Sequence, residues 1–77
     1  MLCGLERLRD GERGMVVSVS AEGERAQRLR DMGVLPGADV AVVGRSPLGD
    51  LLSLRVMGTT LALRLEDAAL ISVSMEG

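Results

Sequence analysis

The sequence predicts a mainly β protein: a small, partly open barrel of about five short antiparallel strands, with one short α-helix between strands one and two. Three observations lead to this prediction. Short apolar or alternating runs recur along the chain between turn-forming residues, which is typical of short strands. The stretch 24–32 has apolar residues at every third position, which is one stripe of an amphipathic helix. Five short strands and one helix cannot form a wide sheet, so we expect the strands to wrap around one aliphatic core.

A lead-in segment, 1–13, is expected to cover one end of that core. Its leucines recur at every third position, which suits either a short helical turn or an extended arm packed against the barrel. These leucines are Leu2, Leu5 and Leu8. The first strand is expected at 14–20, where the second half alternates apolar and polar residues and so predicts one inward face.

The helix is expected over 24–32, with Ala26, Leu29 and Met32 forming one apolar stripe. About ten residues do not form a stable helix alone, so the stripe should dock on the sheet, with Leu29 in the core. Gly33 follows directly, at the position where a helix end most often needs a residue that tolerates positive φ.

The remaining strands are expected at 39–45, 51–57, 60–65 and 70–74. The turn 46–50, Ser-Pro-Leu-Gly-Asp, is rich in turn-forming residues and predicts an antiparallel hairpin between the first two of these strands. Gly58-Thr59 is expected to form the next turn, and 66–69 a single helical turn. A one-turn helix before the last strand is common in barrels of the SH3-like type.

The composition excludes several classes of function. The chain has no histidine, which is the commonest acid–base group at neutral pH and the commonest metal ligand. It has no aromatic residue on which a nucleic acid base could stack. Its net charge is −2, and its nine basic residues, all arginine, are interleaved with acidic ones, which does not indicate a groove for a phosphate backbone. We therefore expect neither an enzyme nor a nucleic acid-binding protein.

Cys3 is the only cysteine, so no intramolecular disulfide can form, which fits a reducing compartment. A metal site built from Cys3 with Glu6 or Asp10 is conceivable, but a lone N-terminal cysteine is more often incidental, and we expect neither a specific metal site nor a cofactor. No apolar run approaches the ~20 residues that span a bilayer, and residues 1–5 lack the long apolar core of a signal peptide, so we expect no targeting segment. We expect one cytoplasmic domain over 1–77 without membrane insertion.

Protein binding is the remaining class, because small barrels bind partners through loops and strand edges. The candidate contact residues lie around the helix end and in the first hairpin turn. They are Arg28, Met32, Val34, Leu48 and Asp50. Self-association is the rival interpretation, and an exposed edge strand at 39–45 or 60–65 would permit it.

Four of these candidates differ in the surroundings that we expect for their side chains. Met32 and Val34 are expected to stay partly exposed, because one helix stripe cannot bury both flanks. Leu48 lies at the tip of a turn, where its side chain either folds back or meets a partner. Arg28 pairs either with a carboxylate on the partner or with Glu24 one helical turn earlier.

Several motifs occur together in a fairly specific order: Arg28-Leu29-x-x-Met32-Gly33-x-x-Pro36-Gly37, the Pro-Leu-Gly-Asp turn at 47–50, the stretch 58–64 and the ending 68–73. Over about residues 5–74 the chain resembles the FeoA family, small cytoplasmic partners of the bacterial ferrous iron transporter FeoB. The resemblance implies an SH3-like barrel and a role in ferrous iron uptake through docking on the cytoplasmic side of FeoB.

The resemblance also supplies an alternative function. The same SH3-like fold closes the C-terminal end of iron-dependent repressors of the DtxR type. In this alternative the chain is a stand-alone relative of that repressor domain and acts as a metal-responsive or self-associating interaction module.

Overall fold

The computed structural model describes residues 1–75. Its six strands form one antiparallel sheet in the order β1-β6-β2-β3-β4-β5. Glu76 and Gly77, which the single-domain prediction includes, lie outside the described residues. The elements are β1 (Leu2–Gly4), a 3₁₀ turn (Leu5–Arg7), β2 (Arg13–Val19), α1 (Gly23–Asp31), β3 (Asp39–Arg45), β4 (Leu51–Val56), β5 (Thr59–Arg64), α2 (Leu65–Ala68) and β6 (Ile71–Ser74).

The mainly β architecture, with one short helix after the first long strand, is confirmed. Element boundaries differ from the prediction by about one residue, which is the usual scatter at element ends. Register shifts occur in the β2–β6 pair between Val16 and Ser18, and in the β3–β4 pair between Val42 and Gly44. Such bulges bend a strand and increase its twist, so they help this sheet to curve around its core.

The strand count is six rather than five because the lead-in contributes a strand. Residues of β1 pair with β6, from Leu2 opposite Ser74 to Gly4 opposite Ser72. Leu5 and Leu8 are fully buried, whereas Leu2 is 65% exposed, so the expectation of a packed leucine is wrong for Leu2 alone. The lead-in therefore begins as an extended strand and continues as a short helical turn, and Leu5 and Leu8 complete the core.

Arg45 holds the lead-in in place. Its Nη2 donates hydrogen bonds to the main-chain oxygens of Glu6 (2.8 Å) and Leu8 (2.6 Å). Both bonds involve a charged donor, and such bonds contribute more to stability than neutral ones.

We expect Arg45→Ala to lower the free energy of unfolding by about 1–2 kcal/mol, because it leaves two carbonyl oxygens of the lead-in without their donor. Urea unfolding followed by circular dichroism measures this. Arg55→Ala, at an exposed position on β4, is the matched control and should change stability by less than about 0.5 kcal/mol. Equal midpoints for the two variants would contradict the assigned role of Arg45.

The core is entirely aliphatic, and every element of the fold except β1 contributes a buried residue to it. The buried members are Leu5, Leu8, Val16, Leu29, Val34, Val40, Val42, Leu52, Leu54, Val56, Leu63, Ala68, Ile71 and Val73. The sequence of β4 alternates, which predicts that Leu52, Leu54 and Val56 share one face, and all three are buried. Among the described residues no polar or charged side chain is buried, so the core is held by apolar packing.

The end of α1 is a Schellman motif. Gly33 has a φ of +94°, its N–H donates to the carbonyl oxygen of Arg30 (3.0 Å), and the N–H of Val34 donates to that of Leu29 (2.9 Å). Both Leu29 and Val34 are 1% exposed, as expected from the hydrophobic contact that accompanies this motif. The prediction that Val34 stays partly exposed is therefore wrong: the motif turns its side chain back into the core.

The turn between β4 and β5 lies one residue earlier than predicted. It consists of Met57 and Gly58, with φ values of +51° and +79°, instead of Gly58 and Thr59. Positive φ at both central residues is the geometry of the two-residue hairpin turn that matches strand twist. A methionine is an unusual occupant of this region, and here its side chain is 81% exposed.

Met57→Asn should raise the free energy of unfolding by about 0.5–1 kcal/mol, because asparagine tolerates positive φ better than other residues with a side chain. The thermal midpoint, followed by circular dichroism, checks this. Met57→Val provides the opposite case, since a β-branched residue is least suited to positive φ, and it should lower the midpoint. A lower midpoint for Met57→Asn would show that packing of the methionine outweighs its backbone strain.

Candidate partner-binding site

The β3–β4 turn is fixed by a small hydrogen-bond network around Ser46. Its Oγ donates to Asp50 Oδ1 (2.7 Å) and accepts from the N–H of Leu51 (3.1 Å). The main chain adds bonds from Ser46 N–H to the Leu51 oxygen (3.0 Å) and from Gly49 N–H to the Ser46 oxygen (2.9 Å). One carboxylate oxygen of Asp50, a predicted contact residue, is thus engaged in holding the turn.

Leu48 projects from this fixed turn into solvent. Its side chain is 89% exposed. Of the two alternatives for this residue, the one in which the side chain folds back against the barrel is therefore wrong. Pro47 before it has a restricted φ, and Gly49 after it has a φ of +77°. An apolar side chain presented by an ordered turn loses little conformational entropy on binding, which favours its use as a contact.

The helix end carries the second group of predicted residues. Arg28 is exposed, and Met32 is half-buried against the core. Within residues 1–75 Arg28 and Glu24 form no ion pair, so contact with a partner is the alternative that stays open for Arg28. The ion pair of α1 is instead between Arg25 and Asp67 of α2 (3.2 Å).

The two groups do not form one patch. A Cβ placed on Gly33, next to Met32, would lie 3.4 Å from side-chain atoms of Val56 and Met57, which places the helix end beside the last residue of β4. Leu48 precedes the first residue of β4, Leu51. A six-residue strand separates its ends by roughly 17 Å. The structure therefore brings Arg28 and Met32 together, and Leu48 and Asp50 together, at opposite ends of β4.

Met57 is an exposed apolar residue that the sequence analysis did not select. It lies beside the helix end and extends the group formed by Arg28 and Met32. The prediction missed it because 51–57 was interpreted as one strand. The signal for it is present in the sequence: Met57-Gly58 between two alternating runs fits a two-residue hairpin turn with glycine second.

The described residues contain no cluster of three or more histidine, cysteine or acidic side chains placed to hold a metal ion. Cys3 Sγ instead lies 3.6 Å from Met75 Sδ in the β1–β6 region. None of the helices in the part of the chain that the structure covers is both long and apolar enough to traverse a bilayer.

Of the two strands predicted to offer an exposed edge, only one lies at an edge of the sheet. β3, at 39–45, lies between β2 and β4, so the prediction that it offers an exposed edge is wrong. β5, which corresponds to the predicted strand 60–65, is the last strand of the sheet and has β4 as its neighbour.

Fold and site together define a small curved β-sheet module with exposed apolar side chains at both ends of one hairpin. The chain belongs to the FeoA family: the model of the FeoA domain matches residues 3–75. A curated relative, the Fe(2+) transport protein A/Fe(2+) transporter FeoB fusion protein of Porphyromonas gingivalis, is 35% identical over 71 residues, or 92% of this chain. The chain spans only 8% of the length of that relative.

Solved structures agree with this assignment. The FeoA protein of Chlorobium tepidum is 35% identical with a TM-score of 0.90, and the match covers 97% of this chain and 71% of that one. FeoA of Stenotrophomonas maltophilia, complexed with zinc and described as an SH3 domain protein, is 32% identical with a TM-score of 0.80, covering 94% and 89%. The predicted SH3-like fold is thus confirmed.

A manganese-dependent transcriptional repressor shares the fold as well. Its TM-score is 0.89 at 23% identity, and the match covers 97% of this chain and 37% of the repressor. At this identity the likeness shows the fold alone. The alternative function, a stand-alone relative of a repressor domain, therefore stays a prediction.

Proposed function

We propose that this protein is a non-enzymatic accessory protein of bacterial ferrous iron uptake that docks on the cytoplasmic side of a FeoB-type transporter. One observation supports the proposal most: a relative at 35% identity carries the FeoA-like segment and the FeoB transporter in a single chain. Fusion holds two proteins at a high effective concentration, which has an advantage when they act in contact. A separate chain of the same family then reaches its transporter by binding.

The β3–β4 turn is the proposed primary contact. Leu48 is the most exposed of the large apolar side chains, and Leu51 beside it is 38% exposed. A single leucine in a fitting pocket contributes about 1.5–3 kcal/mol of apolar burial, enough to dominate a modest interface. Arg28, Met32 and Met57 form a second group whose charge and apolar area suit the rim of the same partner.

Iron in this proposal is the cargo of the transporter. The chain lacks histidine, and its described carboxylates and single cysteine are not gathered into a ligand cluster. Ferrous iron sites favour histidine and carboxylate ligands at defined geometry. The accessory protein therefore acts through contact with FeoB, and its own residues are not assigned a catalytic step.

The test is binding of the full chain to the purified cytosolic domain of the FeoB from the same organism, measured by calorimetry without nucleotide, with GDP and with a non-hydrolysable GTP analogue. Saturable binding in at least one state is expected. Absence of binding at about 1 mM in every state would place any Kd above the millimolar range and would overturn docking on this domain.

A further inference from the structure

β5 exposes one row of main-chain hydrogen-bonding groups. It pairs with β4 from Thr59 opposite Val56 to Arg64 opposite Leu51, without a register shift. In a two-residue hairpin turn the flanking residues, here Val56 and Thr59, form a hydrogen-bonded pair. Just after the other end of β5, the N–H of Leu65 donates to the main-chain oxygen of Asp50 (3.0 Å). Hydrogen-bonded pairs alternate in an antiparallel ladder, so the odd-numbered residues of β5 face β4.

The even-numbered residues consequently point their N–H and C=O groups away from the sheet. They are Thr60, Ala62 and Arg64. All three side chains are exposed, and no strand within residues 1–75 lies beyond β5. Among these residues, no main-chain hydrogen bond outside the ladder with β4 involves Thr60, Ala62 or Arg64. Natural edge strands are commonly protected by proline, by charged side chains (lysine above all), by a bulge or by very short length. This strand of six residues has no proline, lysine or bulge, and its one charged side chain, Arg64, lies at its last position.

We propose that β5 pairs with β5 of a second copy of this chain, antiparallel, about a two-fold axis at Ala62. Ala62 then lies opposite Ala62 of the second copy, and Thr60 lies opposite Arg64. In this register every outward N–H and C=O of the three residues finds a partner, and the two sheets become one continuous sheet. The pairing uses neither Leu48 nor Met32, so it does not depend on docking to FeoB.

Charge placement selects this register among the possible ones. Centring the axis on Arg64 would set two guanidinium groups directly opposite each other, which is destabilising. Centring it on Thr60 would leave the main-chain groups of Arg64 unpaired. With the axis at Ala62, each Arg64 faces a neutral threonine, and Glu66 Oε1 lies 3.6 Å from Arg64 Nη1 within the same chain.

Pairing of β5 with β5 of the second copy is also favoured over pairing of β5 with β1, the strand at the other edge of the sheet. β1 has only three residues, so it offers fewer outward groups than β5. Head-to-tail pairing of β1 with β5 would leave two free edges and propagate into a filament. Two β5 strands related by a two-fold axis satisfy each other, and the assembly ends there.

Sedimentation velocity of the full chain over increasing concentration is the first measurement, and we expect a weak dimer because a strand pair buries little area. Ala62→Lys places two ammonium groups at the axis, beside both Arg64 side chains, and should weaken dimerisation about tenfold or more. Ser18→Lys, an exposed position on the interior strand β2, is the matched control and should dimerise as the wild type does. Circular dichroism confirms that both variants are folded.

Two further measurements test the register. Native mass spectrometry of Ala62→Lys mixed with Ala62→Glu should show a heterodimer in excess of the Ala62→Lys homodimer. Amide hydrogen exchange of the wild type should show protection of Thr60, Ala62 and Arg64 that grows with concentration, while Leu61 and Leu63 are protected throughout.

Three results would overturn the proposal. The first is a wild-type chain that stays monomeric at about 1 mM. The second is a dimer that Ala62→Lys leaves unchanged. The third is a dimer in which the even-numbered amides of β5 exchange equally fast at low and high concentration.

Discussion

Leu48→Asp should abolish measurable binding to the cytosolic domain of FeoB while leaving the fold intact. The side chain is 89% exposed, so the substitution removes no core contact and should change the free energy of unfolding by less than about 0.5 kcal/mol. In the complex, the same position would bury an unpaired carboxylate in an apolar pocket. The penalty for an unpaired buried charge is several kcal/mol, which corresponds to at least a hundredfold loss of affinity.

Leu2→Asp is the matched control for this experiment. Leu2 is also an exposed leucine, at 65%, but it lies on β1 at the opposite edge of the sheet from the β4–β5 hairpin. Isothermal calorimetry with the same FeoB preparation should return wild-type affinity for Leu2→Asp and none for Leu48→Asp. Unchanged affinity for Leu48→Asp would move the docking surface to the helix end, where Met32→Asp and Arg28→Glu are the next variants.

Elements with a local chemical cause were predictable from the sequence. The β3–β4 hairpin follows from the turn residues at 46–50 between two alternating runs, and the helix end follows from Gly33. The inward faces of β4 and β5 follow from strict alternation. In each case a few neighbouring residues carry the whole signal, so no knowledge of the tertiary structure is needed.

Elements that depend on distant partners were not predictable in the same way. β1 has three residues and no alternation of its own, and it is a strand only because β6, some seventy residues away, supplies its hydrogen bonds. Val34 is buried because the Schellman motif returns the chain to the core at that residue. Its apolar side chain gave no indication of direction, since burial there is decided by backbone geometry beyond the end of the helix.

The candidate site shows the same division. Leu48 could be selected because a leucine among proline, glycine and aspartate in a turn is unlike its neighbours. The division of the candidates between the two ends of β4 could not be foreseen, because it depends on how α1 crosses the sheet. Met57 was hidden by a one-residue error in the end of a strand, and such ends are the least certain part of any sequence-based assignment.

The lead-in should prove to be as important to stability as the strands themselves. Leu5 lies in the 3₁₀ turn after β1 and is fully buried among the core residues. Leu5→Ala should lower the free energy of unfolding by about 3 kcal/mol, the sum of lost transfer free energy and the cavity left behind. A domain of this size has roughly 4–12 kcal/mol in total, so one leucine outside the main strands accounts for a large share.

Urea unfolding must be followed by circular dichroism, since the chain has no tryptophan or tyrosine to report by fluorescence. Leu2→Ala, three residues earlier and largely exposed, is the matched control and should shift the midpoint little. An unchanged m-value for Leu5→Ala would show that the variant unfolds from the same native structure. If both alanine variants had wild-type midpoints, the lead-in would be a dispensable cover. A large loss confined to Leu5→Ala would make it part of the core, because a cavity destabilises only where the surrounding packing is fixed.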